Sequence, residues 1–269
     1  MRFNLTGHMI VRNEEQWVWY AIQSVINHVD ELLIFDTGSD DKTNEIIKSI
    51  ASPKITFVEK GRVTPQELAD LRNEQIKLTR TDWFLLLDGD EIWPQVTIGE
   101  LVELIKKVGP KVIGLVVNTR LPLGDLFHYQ SESAGHYQLL GKRGHFNIRC
   151  YRKTPIFHWE CVYPYKKYIE KYVDRNGIQV QDKTGTLTRL NGEYWHLTHL
   201  VRSSQDTHGK RKYEIGQEAD VSLPEVFYLP RQTLVPDPWI KYALHERIWA
   251  QMITPLKLLK RRWQNVGKT

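Results

Sequence analysis

WFLLLDGDE, residues 83–91, is the stretch of this chain that decides its fold. Five apolar residues in a row predict a strand that is buried on both faces, and acidic residues follow at its end. Open α/β sheets bind ligands at this end of their strands. Asp88 and Asp90, one residue apart, can both turn toward one hard cation, which prefers oxygen ligands and commonly bridges to a substrate's phosphates. The alternative is a polar turn that only caps the strand.

Two further strands are predicted to end in polar residues. The run ELLIFDTGSDD, residues 31–41, ends in an aspartate, a glycine and a polar turn that can cap the next helix. A first strand over residues 3–11 leads into RNEE, residues 12–15, and then a helix over about residues 16–28. Three strand ends of this kind are better explained by one shared crevice than by three unrelated turns that cap their strands.

The remaining pattern predicts an α/β domain followed by a tail. Residues 1 to about 120 alternate between strand-like and helix-like segments, which predicts a mainly parallel sheet with helices on both faces. Farther along, we expect a long loop over 121–147, strands over 147–152, 157–163 and 194–201, and a helix over 203–217. Residues 221–238 contain four prolines and predict a linker. Residues 239–269 predict a basic, amphipathic helical tail in which Pro255 can introduce a break.

Composition limits the class of protein and its partners. The 269 residues are 41% hydrophobic and 26% charged, which is typical of a soluble globular protein, and the net charge is +5. Cys150 and Cys161 are the only cysteines, so no disulfide framework is expected. The chain begins without a signal-peptide pattern and has no run of about 18 apolar residues, so we expect a cytoplasmic protein. The positive charge is concentrated in the tail, without a nucleic-acid motif, and favours an anionic surface over nucleic acid.

Four blocks of the sequence together resemble family 2 glycosyltransferases. They are IVRNEE (10–15), DELLIFDTGSDDKT (30–43), LRNE (71–74) and WFLLLDGDE (83–91). The resemblance covers residues 1 to about 120. It implies a GT-A fold, a nucleotide-sugar donor, a Mg²⁺ or Mn²⁺ ion, and inversion at the anomeric carbon by single displacement. One domain over 1–220 would then consist of a nucleotide-sugar-binding half, 1–120, and an acceptor and metal half, 121–220.

The resemblance also assigns roles to matching positions. It implies a base and ribose pocket at Val11, Arg12, Asn13 and Glu14, a nucleoside contact at Asp36 beside Gly38, a diphosphate contact at Arg72, a ribose or donor-sugar contact at Asp88, and a metal ligand at Asp90. A histidine beyond the core sheet often adds a metal or phosphate contact in this family. His199 is the first candidate and His196 the second; on one strand these two would face opposite sides. Lys210 can reach phosphate from the helix predicted over 203–217, although a solvated helix face is the alternative.

The general base is the part of the resemblance that this chain does not match. An inverting transfer needs a group that takes the acceptor's hydroxyl proton. Family members often carry a His-Glu doublet after a Trp-Glu-Gly-like stretch, whereas this chain has HWECVYPY, residues 158–165. Glu160 is the first candidate for the base, followed by Glu91 and Asp125. Glu160 can equally face solvent on an edge strand.

The tail carries apolar residues three or four positions apart, which predicts one apolar helical face. These residues are Ile240, Leu244, Ile248, Met252, Leu256, Leu259 and Trp263. With basic residues close by, this composition suits a helix in the headgroup layer of an anionic membrane. A helix packed on the domain or on a second copy is the alternative. A membrane location would favour a lipid-linked saccharide or a lipopolysaccharide core as the acceptor.

Two other functions compete with glycosyl transfer. A sugar nucleotidyltransferase uses a similar sheet, but it usually has a glycine-rich loop after the first strand, and residues 12–15 contain no glycine. A non-catalytic protein that binds a nucleotide-sugar or glycan at a membrane is the second alternative. The acidic residues at the strand ends argue against it, while the unmatched base keeps it open.

Overall fold

The computed structural model describes residues 3–135, 137–162, 169–205, 214–218, 221–241 and 243–266. Its strands are β1 (Leu5–Val11), β2 (Glu31–Asp36), β3 (Ile55–Glu59), β4 (Trp83–Leu86), β5 (Glu91–Ile92), β6 (Gly114–Arg120), β7 (His128–Tyr129), β8 (Tyr137–Leu139), β9 (Lys142–Gly144), β10 (Phe146–Arg152), β11 (Phe157–Val162), β12 (Ile169–Asp174), β13 (Leu187–His196) and β14 (Gln217–Glu218). Its α-helices are α1 (Val18–Val25), α2 (Thr43–Lys48), α3 (Glu67–Leu78), α4 (Gln95–Lys107) and α5 (Leu244–Val266).

The centre of the fold is an eight-stranded sheet in the order β3-β2-β1-β4-β10-β6-β13-β5. β1, β2, β3, β4, β6 and β13 run in one direction, and β10 and β5 run against them. The prediction of a mainly parallel sheet with flanking helices is therefore confirmed. Because β10 is inserted antiparallel between β4 and β6, its first residues lie at the edge where β4 and β6 end.

The apolar run over residues 83–87 is continuous because the sheet is covered on both faces. Leu85 of β4 packs into the larger core, with residues of α1 and α4, whereas Phe84 and Leu86 pack into a second core. That second core contains Ala69 of α3 and Trp159 of β11. Successive side chains of a strand point to opposite faces, so a strand buried on both faces has no polar positions.

A hairpin of β11 and β12 closes the second core. Asn73 of α3 holds it in place: its Nδ2 donates to the Trp159 carbonyl oxygen at 2.8 Å, and the Trp159 N–H donates to its Oδ1 at 2.8 Å. Tyr172 of β12 meets Phe84 edge-on, with ring centroids 5.7 Å apart. This packing fixes the hairpin against the sheet, next to the end of β4.

The strand predicted over 194–201 lies further toward the N-terminus. β13 ends at His196, and the Leu197 N–H donates to the Asp90 carbonyl oxygen at 2.9 Å. The strand pairing of β13 with β5 stops at His196 because β5 has only two residues. The helix predicted over 203–217 is also wrong in its described parts: residues 203–205 and 214–218 are not helical, and the latter contain β14. Residues 206–213 lie outside the described residues.

The segment predicted as a linker is packed against the domain. Val226, Phe227 and Val235 are buried in the larger core, and the Tyr20 hydroxyl donates to the Pro236 carbonyl oxygen at 2.8 Å. Its only regular element is a short 3-10 helix, Glu225–Tyr228, and its apolar side chains cover α1. The predicted separation of residues 221–238 from the domain is therefore corrected.

The tail helix begins later than predicted and is not broken. α5 starts at Leu244 and runs through Pro255. Pro255 removes the hydrogen bond to the Gln251 carbonyl, and because both residues are exposed, water can satisfy that group. Ile240 packs on the core instead of continuing the helix. Across the described residues, no helix is both long enough and apolar enough to cross a membrane.

His8 makes the stability of the fold depend on pH. Its ring is fully buried, its Nε2 lies 2.5 Å from the Thr79 Oγ1, and burial, with Arg72 and Lys153, lowers its pKa well below 6.5. Unfolded His8 binds a proton below about pH 6.5 and folded His8 does not. The free energy of unfolding should therefore fall as the pH drops below about 6.5, with a slope from this group that approaches about 1.4 kcal/mol per pH unit. Urea unfolding at pH 7.5, 6.5 and 5.5 measures this, with His8→Gln as the variant that lacks the proton site. Parallel pH profiles for the two proteins would contradict it.

Candidate active site

The ends of the parallel strands bring the predicted site residues to one edge of the sheet. β1 ends at Val11, β2 at Asp36 and β13 at His196, and the turn after β4 carries Asp88. Gly89 allows that turn to lie against the end of β1, because a Cβ at this position would be 2.8 Å from the Glu14 Cγ. The three strand ends that the sequence predicts to converge therefore lie side by side at one edge of the sheet.

Asp88, Glu91 and His196 form an acidic cluster at this edge. Each offers one ligand atom, and these atoms all lie within 4.8 Å of one another. The strand pairing explains the arrangement, because Glu91 of β5 lies directly opposite His196 of β13. The Asp88 N–H also donates to the Glu91 Oε2 at 3.3 Å, which closes the turn.

Arg149 supplies the positive charge that this cluster needs. It reaches in from β10, where its Nη2 donates to the Asp88 Oδ2 at 3.0 Å and contacts the Glu91 carboxylate. Its Nε donates to the Tyr194 hydroxyl at 3.1 Å. Burial works against the charge of Asp88, but Arg149 and then Arg72 outweigh it and lower its pKa to about 2. Asp88 is therefore ionised at every physiological pH.

The environment raises the pKa values of the other two members of the cluster, Glu91 and His196. Burial raises the pKa of Glu91 to about 8, although Arg149 opposes the shift. Burial works to lower the pKa of His196, but Asp90 and then Glu91 raise it overall. Desolvation disfavours charge on any isolated group, and nearby opposite charge restores it. The three side chains thus form one coupled set.

Asp90 lies behind the cluster. It is 2% exposed, and its Oδ1 is 3.4 Å from the His196 Nε2. Its Oδ2 lies 3.8 Å from the Arg202 Nη1 and accepts no hydrogen bond from the described residues. Arg202 also contacts the Glu14 Oε1 at 2.9 Å. Burial, and then Asp90, raise the pKa of Glu14, against Arg202.

The chemistry of this donor set fits a divalent cation. Two carboxylates and an imidazole are ligands that Mg²⁺ or Mn²⁺ accepts. An unpartnered buried carboxylate oxygen, such as Oδ2 of Asp90, costs free energy unless a cation or water reaches it. Asp88, Glu91 and His196 are the residues placed to hold the ion, with Asp90 adjacent.

The predicted nucleoside contact at Asp36 has a structural use. Its carboxylate accepts hydrogen bonds from the Gly38 N–H at 2.9 Å and the Ser39 N–H at 3.0 Å, and contacts the Ser39 hydroxyl. Gly38 has a φ of 85°, and a Cβ there would lie 2.7 Å from the Arg62 Cγ. Asp36 therefore shapes the turn after β2, and Gly38 permits both its backbone conformation and its close packing.

The loops after β1 and β2 are joined into one rim. The Asn13 Nδ2 donates to the Asp40 Oδ1 at 2.7 Å, and the Asp40 N–H donates to the Asn13 Oδ1 at 2.9 Å. The Glu14 N–H donates to the Thr43 Oγ1 at 2.8 Å. Asn13 adopts a φ of 53°, and Arg12 beside it is exposed. These bonds give the crevice a fixed wall on the side of β1 and β2.

Two of the other predicted residues lie apart from the cluster. Glu160 is on the outer face of β11, and its Oε1 is 2.9 Å from the His158 Nε2. Asp125 has its Oδ1 2.8 Å from the His128 Nδ1, and it lines a separate cavity of 460 Å³ beside α5. Lys210 lies outside the described residues.

His196 and His199 do not face opposite sides of a strand, because β13 ends between them. His196 joins the acidic cluster, whereas His199 is buried in the following turn. Both line a cavity of 410 Å³ that also reaches Arg149, Asn147 and Gln130. Of the two candidates, His196 is therefore the one whose ring lies within ligand distance of Asp88 and Glu91.

The sequence analysis missed Arg149, Glu170 and Arg202. Arg149 had a signal: it is a charged residue within FNIRCYR, residues 146–152, a run that otherwise reads as a buried strand. A charge inside such a strand is buried only with a partner. Glu170 and Arg202 lie in segments without clear periodicity, so only the folded chain shows where they point.

Comparison with known proteins places the chain in a family. A family model described as glycosyl transferase family 2 matches residues 8–173, more than half of the chain. A TPR repeat-containing protein of Synechococcus elongatus is 36% identical over 83 residues, which is 31% of this chain and 19% of that protein. An uncharacterized glycosyltransferase of Rickettsia bellii is 30% identical over 87 residues, which is 32% of this chain and 28% of that protein. The matched segment thus spans less than a third of either relative.

Solved structures resemble parts of the chain. Glucosyl-3-phosphoglycerate synthase from Mycobacterium tuberculosis, in complex with Mn²⁺ and UDP-glucose, is 21% identical, with 44% of this chain and 43% of that chain covered and a TM-score of 0.34. A mannosyltransferase from Pyrobaculum calidifontis, in complex with GDP-Man and Mn²⁺, is 17% identical, with 45% and 36% covered and a TM-score of 0.37. The family match does not depend on either of them. It confirms what the four sequence blocks predict: the chain belongs to glycosyl transferase family 2.

Proposed function

We propose that this chain transfers a sugar from a nucleotide-sugar donor to a hydroxyl group of a saccharide or lipid-linked acceptor, with inversion at the anomeric carbon. The observation that carries the proposal is the cluster of Asp88, Glu91 and His196, with Arg149, at the strand ends of a family 2 chain. Ligands bind at this edge of open α/β sheets.

The site supplies what the departure of a nucleoside diphosphate requires. A divalent cation, when bound by Asp88, Glu91 and His196, neutralises charge that develops on the leaving group. Arg149 and Arg72 add fixed positive charge at the same place, without reorganisation during the reaction. The rim made by the loops after β1 and β2 holds the nucleoside, as the family resemblance implies for residues 11–14.

The cavity beside Arg149 suits the donor sugar. Its 410 Å³ are lined by Arg149 and by several uncharged hydrogen-bonding groups, which include Gln130, Asn147 and Thr119, with His199 at one side. Sugar hydroxyls both donate and accept hydrogen bonds, and amide and hydroxyl side chains match both roles. We place the transferred sugar here.

One observation favours a second candidate, a non-catalytic nucleotide-sugar-binding protein. Arg149 engages both Asp88 and Glu91, so the cluster already has a counter-charge of its own. Such a protein would bind the donor without cleaving it. Release of nucleoside diphosphate from a bound nucleotide-sugar therefore separates the two candidates.

The donor site can be tested by thermal shift. The melting temperature is measured with UDP-, GDP-, CDP- and dTDP-sugars, each with and without Mn²⁺. Ligand at about 100 times its dissociation constant stabilises the fold by about 2.7 kcal/mol, so one donor should raise the melting temperature by roughly 5–10 °C in a metal-dependent manner. Asp88→Asn should abolish this shift, and the matched control Asp125→Asn should keep it. No shift with any donor, or an unchanged shift in Asp88→Asn, would contradict the proposal.

The two neighbouring histidines allow a test of the metal ligand. His196→Gln should weaken Mn²⁺ binding at least tenfold, because it removes a ligand from the cluster, while His199→Gln should change it less than threefold. Electron paramagnetic resonance of free Mn²⁺, in the presence of the nucleoside diphosphate found in the panel, measures both. A larger effect at His199 would restore the original order of the candidates.

We also propose that α5 binds the surface of an anionic membrane, on its cytoplasmic side, which would place the acceptor there. The helix turns its polar side toward the domain: the Ile215 N–H donates to the Thr254 Oγ1 at 2.8 Å, and the Lys257 Nζ is 4.0 Å from the Glu214 Oε2. Its apolar face is exposed and consists of Leu244, Ile248, Met252, Leu256 and Leu259. This arrangement is the reverse of a helix that packs on its own core.

The charge of the tail indicates what covers that face. Lys260 is exposed on α5, and the sequence continues with Arg261 and Arg262. A helix with an exposed apolar face and flanking basic residues fits the headgroup layer of an anionic bilayer. A second copy of the chain would gain nothing from the basic residues, since like charges repel.

Flotation with phosphatidylglycerol-rich vesicles tests whether α5 binds an anionic membrane. Replacing three of its exposed apolar residues by glutamine, in Ile248→Gln, Met252→Gln and Leu256→Gln together, should reduce binding at least tenfold without changing the charge. The control makes the same change at exposed apolar residues elsewhere, in Val96→Gln, Ile178→Gln and Tyr228→Gln. Binding should also fall as salt is raised. Equal binding by both triple variants would contradict the membrane proposal.

A further inference from the structure

A second cavity lies beside the acidic cluster and has no role in the account so far. It has a volume of 270 Å³ and shares Arg149 and Asn147 with the cavity assigned to the donor sugar. Asp88 also lines it, so it borders the reacting centre. Its other wall is the β11–β12 hairpin, which contributes Trp159 and Glu170.

The register of the hairpin decides which acidic residue faces this cavity. Residues directly opposite each other in an antiparallel pair share one face, and successive residues alternate. Trp159 pairs with Tyr172 and Cys161 pairs with Glu170, so these four share the inner face. Glu160 has the opposite orientation. A shift of β11 by one residue would turn Glu160 inward and Trp159 outward, and Asn73 opposes this shift by binding both the N–H and the carbonyl of Trp159.

Several buried polar atoms beside this cavity have no hydrogen-bond partner among the described residues. Arg72 is 6% exposed, and its Nε and Nη1 donate to no described residue. Its Nη2 is 3.7 Å from the Asp88 Oδ1 and its Nε is 3.6 Å from the Glu170 Oε1, both too long for hydrogen bonds. Within the described part of the chain, the Trp159 Nε1 and the Glu170 Oε1 also lack a hydrogen-bond partner. Buried polar groups of this kind normally have a partner, which a ligand can supply.

We propose that this second cavity binds a saccharide acceptor and that Glu170 is the general base of the transfer; the inference rests on the proposed function. Trp159 and Tyr151 offer aromatic surface to a sugar ring, and Gln181 offers hydrogen bonds to its hydroxyls. Arg72 holds Glu170 beside the cavity. Glu170 is part of the wall itself, whereas Glu160 points away from it and Asp125 lines another cavity.

The step balances as a single displacement. The acceptor's O–H bond breaks and its proton passes to the Glu170 carboxylate, while the acceptor oxygen forms a bond to the anomeric carbon. The bond from that carbon to the diphosphate oxygen breaks, and its electron pair leaves with the nucleoside diphosphate. A base positioned in this way contributes roughly 10²–10⁴-fold to the rate.

Azide separates a base from a merely structural residue, because it is an anionic nucleophile that has no proton to lose. With the donor found in the panel and Mn²⁺, Glu170→Ala should release nucleoside diphosphate to water at least 100-fold more slowly than the unmodified chain. Sodium azide should restore release in Glu170→Ala and yield a glycosyl azide of inverted configuration, detected by NMR. Glu160→Ala, on the other face of the same hairpin, should behave as the unmodified chain does.

Each other result overturns the assignment in a different way. Normal hydrolysis by Glu170→Ala would show that another group takes the proton. A variant that keeps its thermal shift with donor, yet forms no azide product, would give Glu170 a role other than that of a base. An unmodified chain that neither binds nor cleaves any donor would instead overturn the proposed function, and the base with it.

Discussion

The structure depends on the guanidinium of Arg149, which lies between Asp88 and Glu91. Removing one partner of a buried ion pair costs about 3–5 kcal/mol, so this concentration of carboxylates needs a matching positive charge. Arg149 can provide it because β10 runs antiparallel between β4 and β6 and begins at the edge where they end. The topology of the sheet therefore determines the electrostatics of the site, because an all-parallel sheet would place Arg149 elsewhere.

Two cavities meet at Arg149 and approach the acidic cluster from different sides. One is lined by amide and hydroxyl groups beside Arg149, and the other combines aromatic side chains with Arg72 and Glu170. A donor sugar in the first and an acceptor in the second would approach the same point from two sides, as a single displacement requires. The exposed apolar face of α5 adds a surface at which a lipid-linked acceptor would be available. The donor, acceptor and membrane proposals are thus mutually consistent, yet each rests on different residues and can fail alone.

Local patterns in the sequence predict the parts of this protein that local interactions determine. The apolar run 83–87 predicts a doubly buried strand, and the acidic turn after it predicts the site, because a strand end fixes where the next residues lie. Long-range register is different. Glu160 and Glu170 are ten positions apart on two strands, and only the pairing of those strands tells which one faces the cavity. The positions of His196 and His199 are a second example, because β13 ends at His196, where its partner β5 stops after two residues. The four prolines of residues 221–238 predict a linker, because the sequence does not show that the few apolar residues of this segment pack on α1.

A crystal structure of the chain with Mn²⁺ and its best nucleoside diphosphate tests the central claim most directly. The account predicts an anomalous Mn²⁺ signal about 2.1 Å from ligand atoms of Asp88, Glu91 and His196, with the diphosphate beside Arg149 and the nucleoside against the loops after β1 and β2. A Mn²⁺ ion bound away from this cluster, or a nucleotide outside the strand-end crevice, would contradict it.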